Sequence, residues 1–300
     1  MNRVPRLLLA LLLGMGAVTV QPATRLMAYP AEPTGEPAPR ARLKAATAKA
    51  PNPLSDDYDF QTEEQLLALA NQSRQQAGAP PLSIDSGLSQ AARIHAQAMR
   101  EARQLSHQCD GEPSLPDRLA ATTQLQLEQE GENVALDYDA EHGHEHLMLS
   151  APHRRNLLNP AYNVVGLGVV RSGDRLYIVQ DFGSALPKFS PAQVKQYVAA
   201  AVNEARRQAR QPNLHRREWL GADDAACSMA QADKLGTSST LKVAQSFNVL
   251  SYTSLHPQTL PARAVGIVAS RSLRNYSIGT CYGRTESYPT GVYWVVLSLE

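Results

Sequence analysis

The sequence predicts an α+β fold in two successive units, and three observations carry that prediction. Segments 62–82 and 85–107 place apolar residues at helical spacing. The segment "YNVVGLGVVRSGDRLYIVQDFG" holds two β-rich runs separated by "RSGD", a hairpin signal. The order helix, helix, hairpin then recurs in the last third of the chain. Helices followed by a hairpin belong to the α+β class, with the sheet antiparallel at least at that hairpin.

The first helix is read in "TEEQLLALANQSRQQAGAPPL". Thr62 is its expected N-cap, with Gln65 three residues on and Leu66, Leu69 and Ala70 at helical spacing. The second is read in "DSGLSQAARIHAQAMREARQLSH", capped by Asp85 or Ser86, with Leu88, Ala91, Ala92, His95 and Met99 on one face. His95 on that apolar face reads as a satisfied core histidine. Ser150 caps a short helix "APHRRNLL", which tolerates Pro152 in its first turn and ends at Asn159-Pro160. His153 therefore sits in a first turn, where the helix dipole disfavours imidazolium.

The flanks set the compartment. "MNRVPR" followed by the apolar run "LLLALLLGMGAV" predicts a signal peptide over residues 1–28, cleaved near Ala23 or Ala28. The run is short for a membrane span, and no later segment is apolar enough to be one. Residues 29–57, dominated by Pro and Ala, predict a disordered linker. Export would bring an oxidising compartment, in which three cysteines allow one internal disulfide and leave one thiol. The pairing stays open; the shared C-terminal half favours Cys227 with Cys281 over either with Cys109. A net charge of +1 gives no electrostatic case for nucleic acid or an anionic membrane.

Five segments, taken in order, resemble bacterial members of the CAP superfamily (the SCP domain of cysteine-rich secretory, antigen 5 and pathogenesis-related proteins). They are "LLALANQSRQQAGAPPLSIDSGLSQAARIHAQAM", "LSH", "GENVA", "HRRNLLNPAYNVVGLGVV" and "YIVQDFG". The resemblance implies a domain over residues 58–187 folded as an α-β-α sandwich with a large cleft. It implies that His107, Glu132 and His153 converge on that cleft, with His107 and His153 as zinc ligands and water in a further position. It implies a small lipid-like, peptide or glycan ligand there. The chain departs from the family pattern at Leu147, where many members carry tryptophan. It departs also at Ser150, where animal and plant members carry a second glutamate, and Ser-Ala-Pro-His replaces the usual Ser-Pro-Gly-His at 150–153.

The tract "EHGHEH" (141–146) does not fit His-Glu-x-x-His. His142 and His146 have chelate spacing on one helix face, but Gly143 weakens such a helix. The expectation is a solvated helix face with Leu147 inward and Glu145 as the only stand-in for the second acid. Cys109 follows His107 by two residues without a base to activate it.

Residues 190–300 echo the first unit. Asn203, Arg206 and Leu214 repeat the spacing of Asn71, Arg74 and Leu82, and "AACSMAQA" (225–232) echoes "AARIHAQA" (91–98). The expectation is a second, degenerate CAP-like unit without counterparts of His107, Glu132 or His153. The functional expectation is an exported, non-enzymatic binding module. The alternatives are a metal-dependent hydrolase using the same residues, with Glu132 as base, and a structural envelope protein with a vestigial cleft.

Overall fold

The computed structural model describes residues 58–219, 221–237 and 248–300. The expected signal peptide and linker lie outside these residues. All the described elements fall in one compact unit, Ala50–Glu300. Among the described residues, no helix is long and apolar enough to cross a membrane.

Helix α1 (Phe60–Gln76) starts earlier than expected. Its N-cap is Asp59, whose carboxylate accepts the Thr62 N–H at 3.0 Å, so Thr62 lies inside the helix and is buried. An acid at the cap also meets the positive end of the helix dipole, which a threonine does not. Strand β1 (Ser83–Ile84) leads to helix α2 (Ser86–Ala102), capped by Asp85 as expected. Helix α3 (Leu115–Thr122) and strand β2 (Gln126–Asp137) follow. Then come α4 (Ala140–Leu149) and α5 (Ala151–Leu157). The hairpin β3 (Val164–Ser172) and β4 (Arg175–Leu186) closes the first half around Gly173, whose φ of +64° suits glycine.

These strands form one sheet in the order β1-β3-β4-β2, antiparallel except for the β1–β3 pair. The strand period of two sorts its side chains between two helical layers. Val165, Leu167, Val169 and Ile178 face α1, α4 and α5 in one core cluster. Val134, Val170, Tyr177 and Val179 face α2 in another. This is the α-β-α sandwich. The approach of α2 to β3 depends on absent side chains, since a Cβ at Gly166 would run into the Leu88 carbonyl carbon. Beyond the short β1, the outer edge of β3 is satisfied by side chains: Ser89 Oγ accepts the Leu167 N–H and Glu63 Oε1 the Val169 N–H, both at 3.3 Å.

The second half builds the same plan. Helix α6 (Pro191–Gln208), strand β5 (His215–Arg216) and helix α7 (Ala222–Ala232) are followed by β6 (Asn248–Ser254), α8 (Ala262–Val268), β7 (Asn275–Gly283) and β8 (Val292–Leu299). Its sheet order, β5-β7-β8-β6, repeats the first position by position. The echo reaches single side chains. Arg74 donates to the Pro80 carbonyl and Arg206 to the Pro212 carbonyl, each six residues on. Asp223 accepts the Thr280 N–H of β7 much as Ser89 serves β3. Cys227 of α7 is bonded to Cys281 of β7, and Cys109 is the free thiol. The β7–β8 connection also covers the β2 edge: Gln126 donates to the Gly291 carbonyl, and Arg284 to the carbonyls of Ala120 and Thr123.

Candidate functional site

Strand β2 was not anticipated as a strand, and it carries the centre of the site. Its polar residues show no alternation because its neighbours differ along its length. Residues 126–127 lie under the β7–β8 connection, a bulge follows between Leu127 and Glu130, and Glu132 turns into the α2/α3 layer.

Glu132 is held from two sides. Its Oε1 accepts from His107 Nδ1 at 2.8 Å and its Oε2 accepts from Arg118 Nη2. The Glu132 side chain is 3% exposed, whereas that of His107 is 61% exposed. A carboxylate behind Nδ1 fixes the tautomer of His107 and leaves Nε2 to face outward. His153 comes from α5, and its ring centroid lies 6.5 Å from that of His107. Asparagines fasten α5 to β2: Asn156 donates to the Glu132 carbonyl and Asn133 donates to the His153 carbonyl. Burial, and then the charge of His107, pull the His153 imidazole below its ordinary value, so it is neutral at pH 7. The expected neutrality holds, although the causes are burial and a neighbouring imidazole. The three residues the sequence singled out thus stand together. Glu145, the candidate stand-in acid, is exposed on α4.

Behind them lies a polar network that sequence reasoning missed. His95 is fully buried, with Nδ1 2.8 Å from Glu112 Oε2, Nε2 2.9 Å from the Ser106 carbonyl and Glu132 Oε2 at 3.7 Å. Both ring nitrogens have polar partners, in keeping with a satisfied core histidine. Arg118 also donates to the His107 carbonyl at 3.2 Å and lies 3.6 Å from Glu112. Asp181 of β4 is the register partner of Glu132. It is 0% exposed, and neither carboxyl oxygen has a hydrogen-bond donor. Only "PSLPDR" and "VQDF", without any periodic signal, carry Arg118 and Asp181 in the sequence.

Burial, and then the charge of Glu132, raise the Asp181 carboxyl well above its usual 3.8. The folded protein thus holds this proton to higher pH than the unfolded chain does. The associated stability is complete below the unfolded value and is lost as pH rises towards the folded one, at up to about 1.4 kcal/mol per pH unit. Asp181→Asn supplies a permanent neutral donor of the same shape. The variant is expected to melt at or above the parent at pH 7, by about 2–4 °C for each kcal/mol recovered, with a shallower fall from pH 5 to pH 8. Thermal unfolding across that range checks it; an equal loss of stability at every pH would rule out the neutral carboxyl.

Around the cleft, two sets of residues could receive a metal. His107 and His153 offer two nitrogen donors. Their ring centroids are 6.5 Å apart, and two imidazoles of this kind would supply two of the four ligands of a zinc ion. His95, Cys109 and Glu112 present ligand atoms within 4.8 Å of one another. Glu112 there already accepts from His95 and from the Cys109 N–H, with the Arg118 cation beside it. Burial, then Glu112, push the Cys109 thiol up. These are poor conditions for a second cation, and the first pair fits a metal better.

Residues 67–182 match the family model for the cysteine-rich secretory protein family, CAP. With the sandwich and the converged histidines and glutamate in place, this part of the chain belongs to the CAP superfamily. The chain is 34% identical over 112 residues to the uncharacterized protein YkwD of Bacillus subtilis, covering 37% of this chain and 43% of that protein. It is 35% identical over 122 residues to the uncharacterized membrane protein YlbC of the same organism, covering 40% of this chain and 34% of that one. The match thus spans less than half the length of these relatives. An extracellular protein with an SCP domain from Bacillus anthracis aligns with a TM-score of 0.38 at 27% identity, covering 42% of this chain and 41% of its own.

Proposed function

We propose that this protein is an exported, non-enzymatic binding module whose cleft, formed by His107, Glu132 and His153, takes a small polar-headed ligand, lipid-like or peptide, together with a divalent metal. The observation that carries this reading is the state of Glu132. Both of its oxygens are engaged, one by His107 and one by Arg118, and its side chain is almost wholly buried. A general base must reach the water it activates, and a buried carboxylate neutralised by Arg118 is poorly placed to do so. Glu132 instead serves as the anchor that orients His107. This favours binding over hydrolysis. A zinc ion on His107 and His153 would supply a Lewis-acid contact for a ligand oxygen. The second half, with no counterpart of the three residues, is read as a degenerate copy of the first, kept for packing against the β2 edge.

Calorimetric titration of the mature protein with zinc chloride tests the site. Binding is expected in the parent, with at least a tenfold loss in His153→Ala and a similar loss in His107→Ala. Glu132→Gln is expected to weaken binding by about 10–100-fold, as the loss of an orienting carboxylate does. Zinc binding indifferent to all three substitutions would overturn the assignment. Zinc-dependent ester or peptide hydrolysis abolished by Glu132→Gln would favour the hydrolase.

A further inference from the structure

The histidine tract contains a second arrangement, separate from the cleft. It was expected to be a solvated helix face with Leu147 inward, weakened by glycine; Leu147 is buried and His142 and His146 are exposed as expected, while His144 and the glycine are corrected. Helix α4 runs unbroken through Gly143. Gly143 packs against β4: a Cβ there would come within 2.7 Å of Ile178 Cδ1 and make that side chain shift. His144 is buried and bonded through Nε2 to Ser73 Oγ at 2.8 Å. These two residues fix the rotation of α4, and His142 and His146 consequently project outward, one turn apart.

Each outward ring is oriented from behind. His142 Nδ1 lies 2.8 Å from both oxygens of Asp139, and His146 Nδ1 lies 2.6 Å from Asp137 Oδ2. The carboxylates are themselves fixed. Asp139 is the N-cap of α4 and accepts the His142 N–H, while Asp137 accepts the Tyr138 N–H and its side chain is 5% exposed. The two histidine side chains are 59% and 62% exposed, and neither Nε2 has a hydrogen-bond partner among the described residues. In the neutral ring the Nδ1 proton points to the carboxylate, and Nε2 is the atom left facing solvent to take a metal. A carboxylate behind a histidine is the usual support of a metal-ligating imidazole, since it sets the tautomer and raises ligand basicity. An i, i+4 spacing brings two such rings to one face.

We propose that His142 and His146 form a surface chelate for a divalent first-row transition metal, copper(II) or zinc(II), with Nε2 of each as ligand and Asp139 and Asp137 as their orienting carboxylates. Imidazole nitrogens suit both ions, and water completes the coordination. The site does not depend on the cleft.

Untagged protein carrying His107→Ala and His153→Ala isolates it. Copper(II) chloride titrated into that variant is expected to bind with one-to-one stoichiometry and a copper spectrum of nitrogen ligation. Adding His142→Ala or His146→Ala is expected to weaken binding at least tenfold. Asp139→Asn, which keeps the helix cap, and Asp137→Asn are expected to weaken it about tenfold. Circular dichroism is expected to stay unchanged, because the two histidines are exposed. Binding that survives loss of both His142 and His146, or that needs millimolar metal, would overturn the proposal. So would carboxylate variants that bind as the parent does, since preorganisation is the argument.

Discussion

Arg118→Met is expected to destabilise the protein by about 3–5 kcal/mol, the cost of removing one partner from a buried ion pair. The side chain is 3% exposed and sits between two acids, Glu132 and Glu112, while bonding the His107 and Pro113 carbonyls. Without it, the Glu132 and Glu112 carboxylates lose their guanidinium partner and keep only the imidazoles of His95 and His107 beside them. A loss of that size lowers the melting temperature by roughly 10 °C in a domain of this length. The defect should shrink in acid, where the carboxylates protonate and no longer need a cation. Arg118→Lys should recover only part of the loss, because an ammonium keeps the charge but cannot span both acids and two carbonyls at once. Urea denaturation at pH 5 and pH 8 measures both statements. A defect independent of pH would mean that Arg118 acts by packing alone, and would remove the electrostatic account of the cleft.

Arg74→Met is expected to cost more still. Arg74 is 0% exposed and donates to four carbonyls, those of Pro80, Leu157, Asn159 and Tyr162. These acceptors belong to the loop after α1 and to the turn after α5, the segments that carry the first sheet's helices into its central hairpin. A buried acceptor left without a donor costs about 1–3 kcal/mol, and methionine abandons four. The sum is comparable with the total stability of an ordinary domain, so the first half is expected not to fold. Arg206 performs the same task in the second half, on the carbonyls of Pro212, Val268 and Ser270. Arg206→Met should therefore unfold the second half first. Limited proteolysis checks the pair: cleavage is expected to begin within 60–186 for Arg74→Met and within 191–299 for Arg206→Met. Folded, protease-resistant variants at 25 °C would show that water replaces the guanidinium.

Helices α1, α2 and α4 to α7 and the central hairpin were legible in the sequence because their signals are local, whereas α3 and α8 were not anticipated. Leu66 and Ala70, or Ala92 and Met99, lie within two turns of each other, and the turn at Gly173 needs only its own neighbours. The repeated plan was legible for the same reason, since Arg74 and Arg206 keep the same distance to their prolines. The three cleft residues were legible only through family resemblance. Strand β2 and the partners of Glu132 were not legible, because nothing local distinguishes Arg118 or Asp181 from any surface arginine or aspartate.

By itself the sequence determined the α+β class, the order of its main helices and hairpins, and its recurrence, since periodicity and turn chemistry act over a few residues. The tertiary structure alone decided which charges meet. The register that sets Glu132 against Asp181 and the packing that lays Arg118 over Glu132 join residues far apart in the chain. The rotation of α4 that buries His144 and turns His142 and His146 outward is fixed by contact with Ser73 and Ile178, on elements the tract itself does not contain.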